Sequence, residues 1–220
     1  EFYSVTYGAG GSTRDRTLDL VLAINGENRA VAPHLSMGSD DPGAVRELID
    51  RYREAGVRRI VALRGDVPSG TGSRRSVHYA IELVELLRDH AGDHFTIEVA
   101  AYPEVHPDAP SPDDDVKHFA AKVAAGADGA ITQYFYNPDC YFDFLDRATA
   151  AGVTVPIIPG IMPITNLDGL KRFSAACGAE IPRWILLRLE QYQDDPEALK
   201  AFGLDVVAQL CERLLAGGAP

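Results

Sequence analysis

The sequence predicts an α/β fold in which helices cover a parallel sheet, and three observations predict it. Six β-rich runs open near Phe2, Ala30, Arg59, Thr96, Gly129 and Pro156, at intervals of 28, 29, 37, 33 and 27 residues. Their mean, about 31, is the size of one βα unit. The runs are largely apolar on both faces, as strands covered on both sides must be, and between them apolar residues recur with helical spacing.

Taken in order, FYSVTY (2–7) is the first strand and leads into the glycine-rich GAGGSTRDRT (8–17). AVAPHLS (30–36) is the second. The segment 44–56 places Val45, Leu48, Ile49 and Tyr52 on one helical face and stops at Gly56. RIVALRG (59–65) is followed by a helix over 79–92, TIEVAAYP (96–103) by one over 115–128, and GAITQYFY (129–136) by one over 142–152. PIIPGIMP (156–163) is the last strand, and helices follow over 166–178, 182–192 and 196–216. No linker rich in Pro, Gly or Ser divides residues 1–220, so a single domain is expected. Eight such units would close a (β/α)8 barrel of about 250 residues. Six could equally form an open doubly wound sheet, and periodicity does not choose between the two.

Composition narrows the function. A net charge of −11 argues against general affinity for nucleic acid or an anionic membrane, both of which favour a basic face. No apolar run approaches bilayer-spanning length, so a soluble chain is expected. Cys140, Cys177 and Cys211 have neither disulfide-frame nor zinc-site spacing, which points to packing roles and a cytoplasmic setting. Acidic barrel enzymes often associate, so a homo-oligomer is compatible with this charge, although nothing in the sequence fixes an interface.

In either architecture the functional rim lies at the carboxyl ends of the strands, and the unusual residues gather there. The first strand ends in Thr6-Tyr7, the second in His34, and the third in Arg64-Gly65-Asp66. The fourth ends in Tyr102-Pro103-Glu104-Val105-His106-Pro107, and the fifth carries Gln133 before Tyr134, Phe135 and Tyr136. Each has an ordinary reading as well. His34 could be a satisfied core histidine, Arg64 and Asp66 an internal ion pair, and Gln133 a strand amide bonded to a neighbouring side chain. Asp113-Asp114-Asp115 reads as solvated charge at a helix N-terminus. Lys117 and Lys122 read as surface charges, with Lys122 able to reach an anionic cofactor. G-x-G-x-x-G, the P-loop pattern, H-E-x-x-H and G-x-S-x-G are all absent, so no metal is expected and no activated nucleophile is apparent. A rim of aromatics, glycines and amides suits an aromatic cofactor that carries the chemistry itself. A phosphate-handling barrel lyase is disfavoured because no strand run contains a Schiff-base lysine.

The strings SVTYGAGGSTRDRT (4–17), VALRGDVPSGTG (61–72), AAYPEVHPDA (100–109), KVAAGADGAITQYFY (122–136) and VPIIPGIMPI (155–164) occur in one order along the chain. Together they resemble the methylenetetrahydrofolate reductases, in particular the bacterial type. The resemblance implies a (β/α)8 TIM barrel that binds FAD. It also implies reduction of 5,10-methylenetetrahydrofolate to 5-methyltetrahydrofolate by NADH or NADPH in a ping-pong scheme, within one-carbon metabolism and methionine biosynthesis. Carried over by position, it implies that Thr6, Tyr7, Ala9, His34, Arg64, Gly65, Asp66, Tyr79, Ala80, Tyr102, His106, Asp115, His118 and Lys122 meet the FAD. Asp66 would also face the folate pterin and tune the flavin, Gln133 would contact folate and nicotinamide in turn, and Phe173 would pack against either ligand.

Several positions depart from the family pattern. Ser36-Met37 stands where Thr-Cys is usual, His118 where an Asn often meets the cofactor, and Ala121 where a basic residue often does. The family's opening strand carries a Glu that acts as general acid, and its closing strand precedes further folate-binding positions. Glu1 is not equivalent to that acid. The six visible strands are therefore expected to be the family's second to seventh, in a catalytic barrel seen without its first and last strands. The chain by itself is then expected to support at most the flavin-reduction half of the reaction. The alternative is a short flavin-binding homologue or partner subunit without folate reductase activity.

Overall fold

The computed structural model describes residues 1–6, 14–37, 42–64 and 79–220. Strands and helices alternate: β1 Tyr3–Val5, α1 Arg14–Gly26, β2 Val31–Ser36, α2 Pro42–Glu54, β3 Arg59–Leu63, α3 Ala80–Ala91, β4 Thr96–Ala101, α4 Pro112–Ala124, β5 Gly129–Tyr134, α5 Pro138–Ala150 and β6 Ile157–Gly160. Three helices follow, α6 Leu167–Cys177, α7 Arg183–Gln191 and α8 Pro196–Ala216. Parallel register is set by pairs such as Tyr3↔Val31, His34↔Val61, Ile60↔Ile97 and Ala130↔Ile157. The strand order β1-β2-β3-β4-β5-β6 advances by one neighbour at each step. A doubly wound sheet needs a reversal in strand order. Here the order never reverses, which decides the choice that periodicity left open in favour of the barrel class.

The helix boundaries correct the sequence reading at three places. α1 was not anticipated, because its apolar residues crowd into Leu18–Ile24 instead of forming a spaced stripe: Leu18 and Val21 are buried while Leu20 is exposed. α4 and α5 begin at Pro112 and Pro138, earlier than the expected 115 and 142. Proline at the first helical position has a preset φ and no N–H to satisfy, and Asn137 caps α5 by accepting the Asp139 N–H at 3.1 Å. α2 is as expected, with Val45, Leu48, Ile49 and Tyr52 buried and Gly56 at φ 80° behind it.

The chain forms two compact units, residues 1–100 with 121–129, and residues 101–120 with 130–220. The first is filled by Val31, Leu35, Ile49, Tyr52, Ile60, Leu83, Leu87, Ile97 and Val99. The second packs Ile164, Leu167 and Leu170 with Ile185, Leu189, Leu199 and Val206, beneath Tyr134 and Tyr136. Among the described residues no helix is long and apolar enough to cross a membrane.

Among the described residues of the first unit, one charge is buried. The Glu98 carboxylate on β4 is 4% exposed and paired with Arg59 at the start of β3. The Arg59 guanidinium also lies 4.6 Å from the centre of the Phe2 ring. Among the described residues, Oε2 of Glu98 has no hydrogen-bond partner. Gly129 makes room for it, since a Cβ there would collide with the carboxylate. Burial pushes the Glu98 carboxyl above the ordinary carboxylate range, while Arg59 pulls it back.

The pair generates a prediction. A carboxyl whose pKa is raised by folding binds its proton more tightly in the folded state, so stability falls as pH rises from the unfolded to the folded value. Arg59→Met removes the counter-charge and widens that window. The expected loss at neutral pH is about 3–5 kcal/mol, shrinking as the pH is lowered and Glu98 takes up a proton. Urea unfolding at several pH values checks this, and a loss independent of pH would count against it.

Candidate active site

In the first unit the strand ends carry Thr6, His34 and Arg64. The Thr6 carbonyl accepts the Thr17 hydroxyl at 3.2 Å, which ties the end of β1 to α1. His34, near the end of β2, is half-buried, and burial lowers its pKa, so the ring is neutral at pH 7. Ser36 and Met37, which follow it, are buried. Arg64 is half-buried at the end of β3. Tyr7, Ala9, Gly65 and Asp66 lie outside the described residues. Tyr79 is exposed at the head of α3, where its N–H donates to the Glu82 carboxylate at 3.0 Å, and Ala80 is the first helical residue.

Lys122 corrects the reading of a surface charge. It is half-buried in the last turn of α4, and its ammonium donates to the Ala100 carbonyl at 2.5 Å, at the end of β4. It thus places a positive charge beside a strand end.

In the second unit the loop after β4 is built from side chain to backbone contacts. Tyr102 and His106 meet edge to face, with ring centres 4.5 Å apart. His106 Nδ1 accepts the Asp108 N–H at 3.0 Å, so the neutral ring carries its proton on Nε2. The His106 N–H donates to Asp115 at 2.9 Å. Asp115 is therefore a buried anchor and not a solvated cap, in contrast to Asp113, which is exposed. His118 is exposed on α4. Val105 sits at φ 82°, a conformation that costs a β-branched residue of order 1–3 kcal/mol.

Gln133 and Phe173 each meet Tyr134 in the same unit. Gln133 Oε1 accepts the Tyr134 N–H at 3.1 Å, which leaves its NH2 without a partner among the described residues. Tyr134 is buried, its hydroxyl 2.7 Å from that of Ser174. On it stacks Phe173 of α6, with ring centres 5.8 Å apart, an interplanar angle of 15° and 53% of the residue exposed. An aromatic face held in solvent by a buried ring is a ready stacking surface. A crevice of about 10 Å³ in the same unit is lined by Tyr102, Glu104, Gln133, Tyr134 and the turn 177–179.

Sequence reasoning passed over the groups that hold these residues. Glu104 was noted only as part of a strand end, and Tyr134 and Ser174 had no assigned role. Burial raises the Glu104 carboxyl, which accepts the Glu180 N–H at 2.8 Å. The only sequence signal was the polarity of the YPEVHP stretch between two elements.

The methylenetetrahydrofolate reductase family model matches residues 1–220. The chain is 40% identical over 215 residues to the 5,10-methylenetetrahydrofolate reductase of Escherichia coli (strain K12), covering 97% of this chain and 71% of that protein. It is 35% identical over 231 residues to the methylenetetrahydrofolate reductase (NADH) 1 of Arabidopsis thaliana, covering 99% of this chain and 39% of that longer protein. Among solved structures, an uncharacterized protein from Clostridium thermocellum that binds two copies of 5-methyl-5,6,7,8-tetrahydrofolic acid aligns with a TM-score of 0.60 at 18% identity, covering 100% of this chain and 85% of that one. At that identity the likeness is one of fold. With its whole length matched by the family and two-fifths of its residues shared with a bacterial member, the chain belongs to the methylenetetrahydrofolate reductase family.

Proposed function

We propose that this chain belongs to an enzyme that reduces 5,10-methylenetetrahydrofolate to 5-methyltetrahydrofolate, with FAD as carrier and NADH or NADPH as reductant. Family membership supports the reaction. The observation that carries the reading is the exposed Phe173 ring stacked on Tyr134, the residue whose N–H the Gln133 amide oxygen accepts. A flat heterocycle with polar edges, such as a pterin or a nicotinamide, needs one face to stack on and a donor at its rim. FAD, when bound, supplies a two-electron carrier that serves the two substrates in turn.

Taken unit by unit, the residues present suit that cofactor. His34 offers a neutral, half-buried imidazole and His106 an Nε2–H donor. Lys122 brings a cation to suit the phosphates, and Tyr102 adds an aromatic edge. In this proposal Thr6, Tyr7, Ala9, Arg64, Gly65, Tyr79, Ala80, Asp115 and His118 complete the cofactor contacts. Asp66 orients the folate and tunes the flavin, and Gln133 holds each substrate's ring edge. Asp115 acts through backbone, keeping His106 in place.

Two measurements test the reading. The purified chain should show a flavin absorption spectrum that bleaches when NADH is added anaerobically. A colourless protein that takes up no added FAD would overturn the cofactor assignment. Phe173→Leu removes a stacking surface worth about 0.5–1.5 kcal/mol beyond its buried area. It should weaken 5-methyltetrahydrofolate binding about tenfold with flavin content unchanged, and unaltered binding would remove Phe173 from the site.

A further inference from the structure

The second unit carries a tie that no role so far explains. After β4 the chain turns through Pro103, and the Glu104 side chain reaches the turn that ends α6. Its Oε2 accepts the Glu180 N–H at 2.8 Å, and its Oε1 lies 3.9 Å from the Cys140 sulfur at the head of α5. A second contact runs parallel to the first. Pro107 packs so closely on Gly178, the φ 76° residue closing α6, that a Cβ there would come within 2.6 Å of its ring. Between these contacts Val105 is held at φ 82°, a cost that persists only where the surroundings enforce it.

The two ends of this tie belong to different parts of the proposed site. One is the loop that presents Tyr102 and His106, pinned independently by the Asp115 bond to the His106 N–H. The other is the last turn of α6, the helix that carries Phe173 and Ser174. Glu104 also lines the narrow crevice shared by Gln133 and Tyr134. Loosening Glu104 would free the end of α6 while leaving the His106 anchor intact.

We propose that Glu104 is a positioning residue for the second substrate. By accepting the Glu180 N–H it fixes the end of α6 against the β4–α4 loop, and so holds the Phe173 ring in place on Tyr134. This role rests on the folate and flavin reading above. It predicts an effect on ligand binding at the Phe173 face, not on retention of FAD.

The test compares Glu104→Ala, Glu104→Gln and Glu104→Asp in the FAD-loaded chain, by amide hydrogen exchange and by titration with 5-methyltetrahydrofolate. Glu104→Ala should speed exchange at residues 178–181 about tenfold and raise the 5-methyltetrahydrofolate Kd about tenfold, with flavin content unchanged. Glu104→Gln keeps an oxygen that can accept the Glu180 N–H and should stay within about twofold of the parent on both readouts. Glu104→Asp keeps the charge but shortens the arm, so it should fall between the parent and Glu104→Ala, and it serves if the alanine variant fails to fold. Faster exchange with an unchanged Kd would reduce the tie to a structural one and overturn the proposal. So would a Glu104→Gln variant that binds as weakly as Glu104→Ala, because charge rather than the accepted bond would then be at work. Unchanged exchange in Glu104→Ala would refute the tie itself. Failure of the parent to bind 5-methyltetrahydrofolate would instead overturn the folate reading, and this role with it, while the exchange data still report on the tie.

Discussion

A parallel strand cannot pass its chain directly to the next strand. The chain must first return to the opposite end of the sheet, and here helices make the returns. The requirement points the carboxyl ends of successive strands the same way and leaves a connecting segment after each. Backbone groups in those segments lie beyond the strand ladders, so side chains must hold them. Thr17 does this for the end of β1, Lys122 for the end of β4, and Asp115 for the loop beyond it. Residues suited to holding backbone are polar and fixed, which is also what a ligand needs from its contacts.

Buried charge is used differently at the two ends of the strands. At the start of β3, Arg59 and Glu98 pair with each other and leave one carboxylate oxygen unpartnered among the described residues, an arrangement whose desolvation cost offsets much of its attraction. Beyond the end of β4, the carboxylates of Glu104 and Asp115 accept backbone N–H groups instead. Those bonds fix loop conformation, including the strained Val105, without needing a cation.

Much of the fold was readable because its signals are local. The α2 stripe of Val45, Leu48, Ile49 and Tyr52 and the stop at Gly56 need no tertiary knowledge. α1 was missed because its apolar residues form a block, and only the packing shows which of them face inward. The starts of α4 and α5 lie at Ser111-Pro112 and Asn137-Pro138, ahead of their apolar spacing, because capping chemistry sets a helix start before its buried face begins. In the candidate site, strand-end position picked out His34, Tyr102, His106 and Gln133. It could not reveal that Glu104 bonds a residue 76 positions away, since that contact depends on where the end of α6 comes to rest.

The chain has a single tryptophan, Trp184, near the start of α7. It is 57% exposed and meets Phe202 edge to face at 6.2 Å. Its emission therefore comes from one of the two compact units only. Far-ultraviolet circular dichroism, by contrast, registers the helices of both. Overlaying the two melting curves measures cooperativity directly, because coincident transitions mean the units unfold as one and separated transitions mean each has a stability of its own.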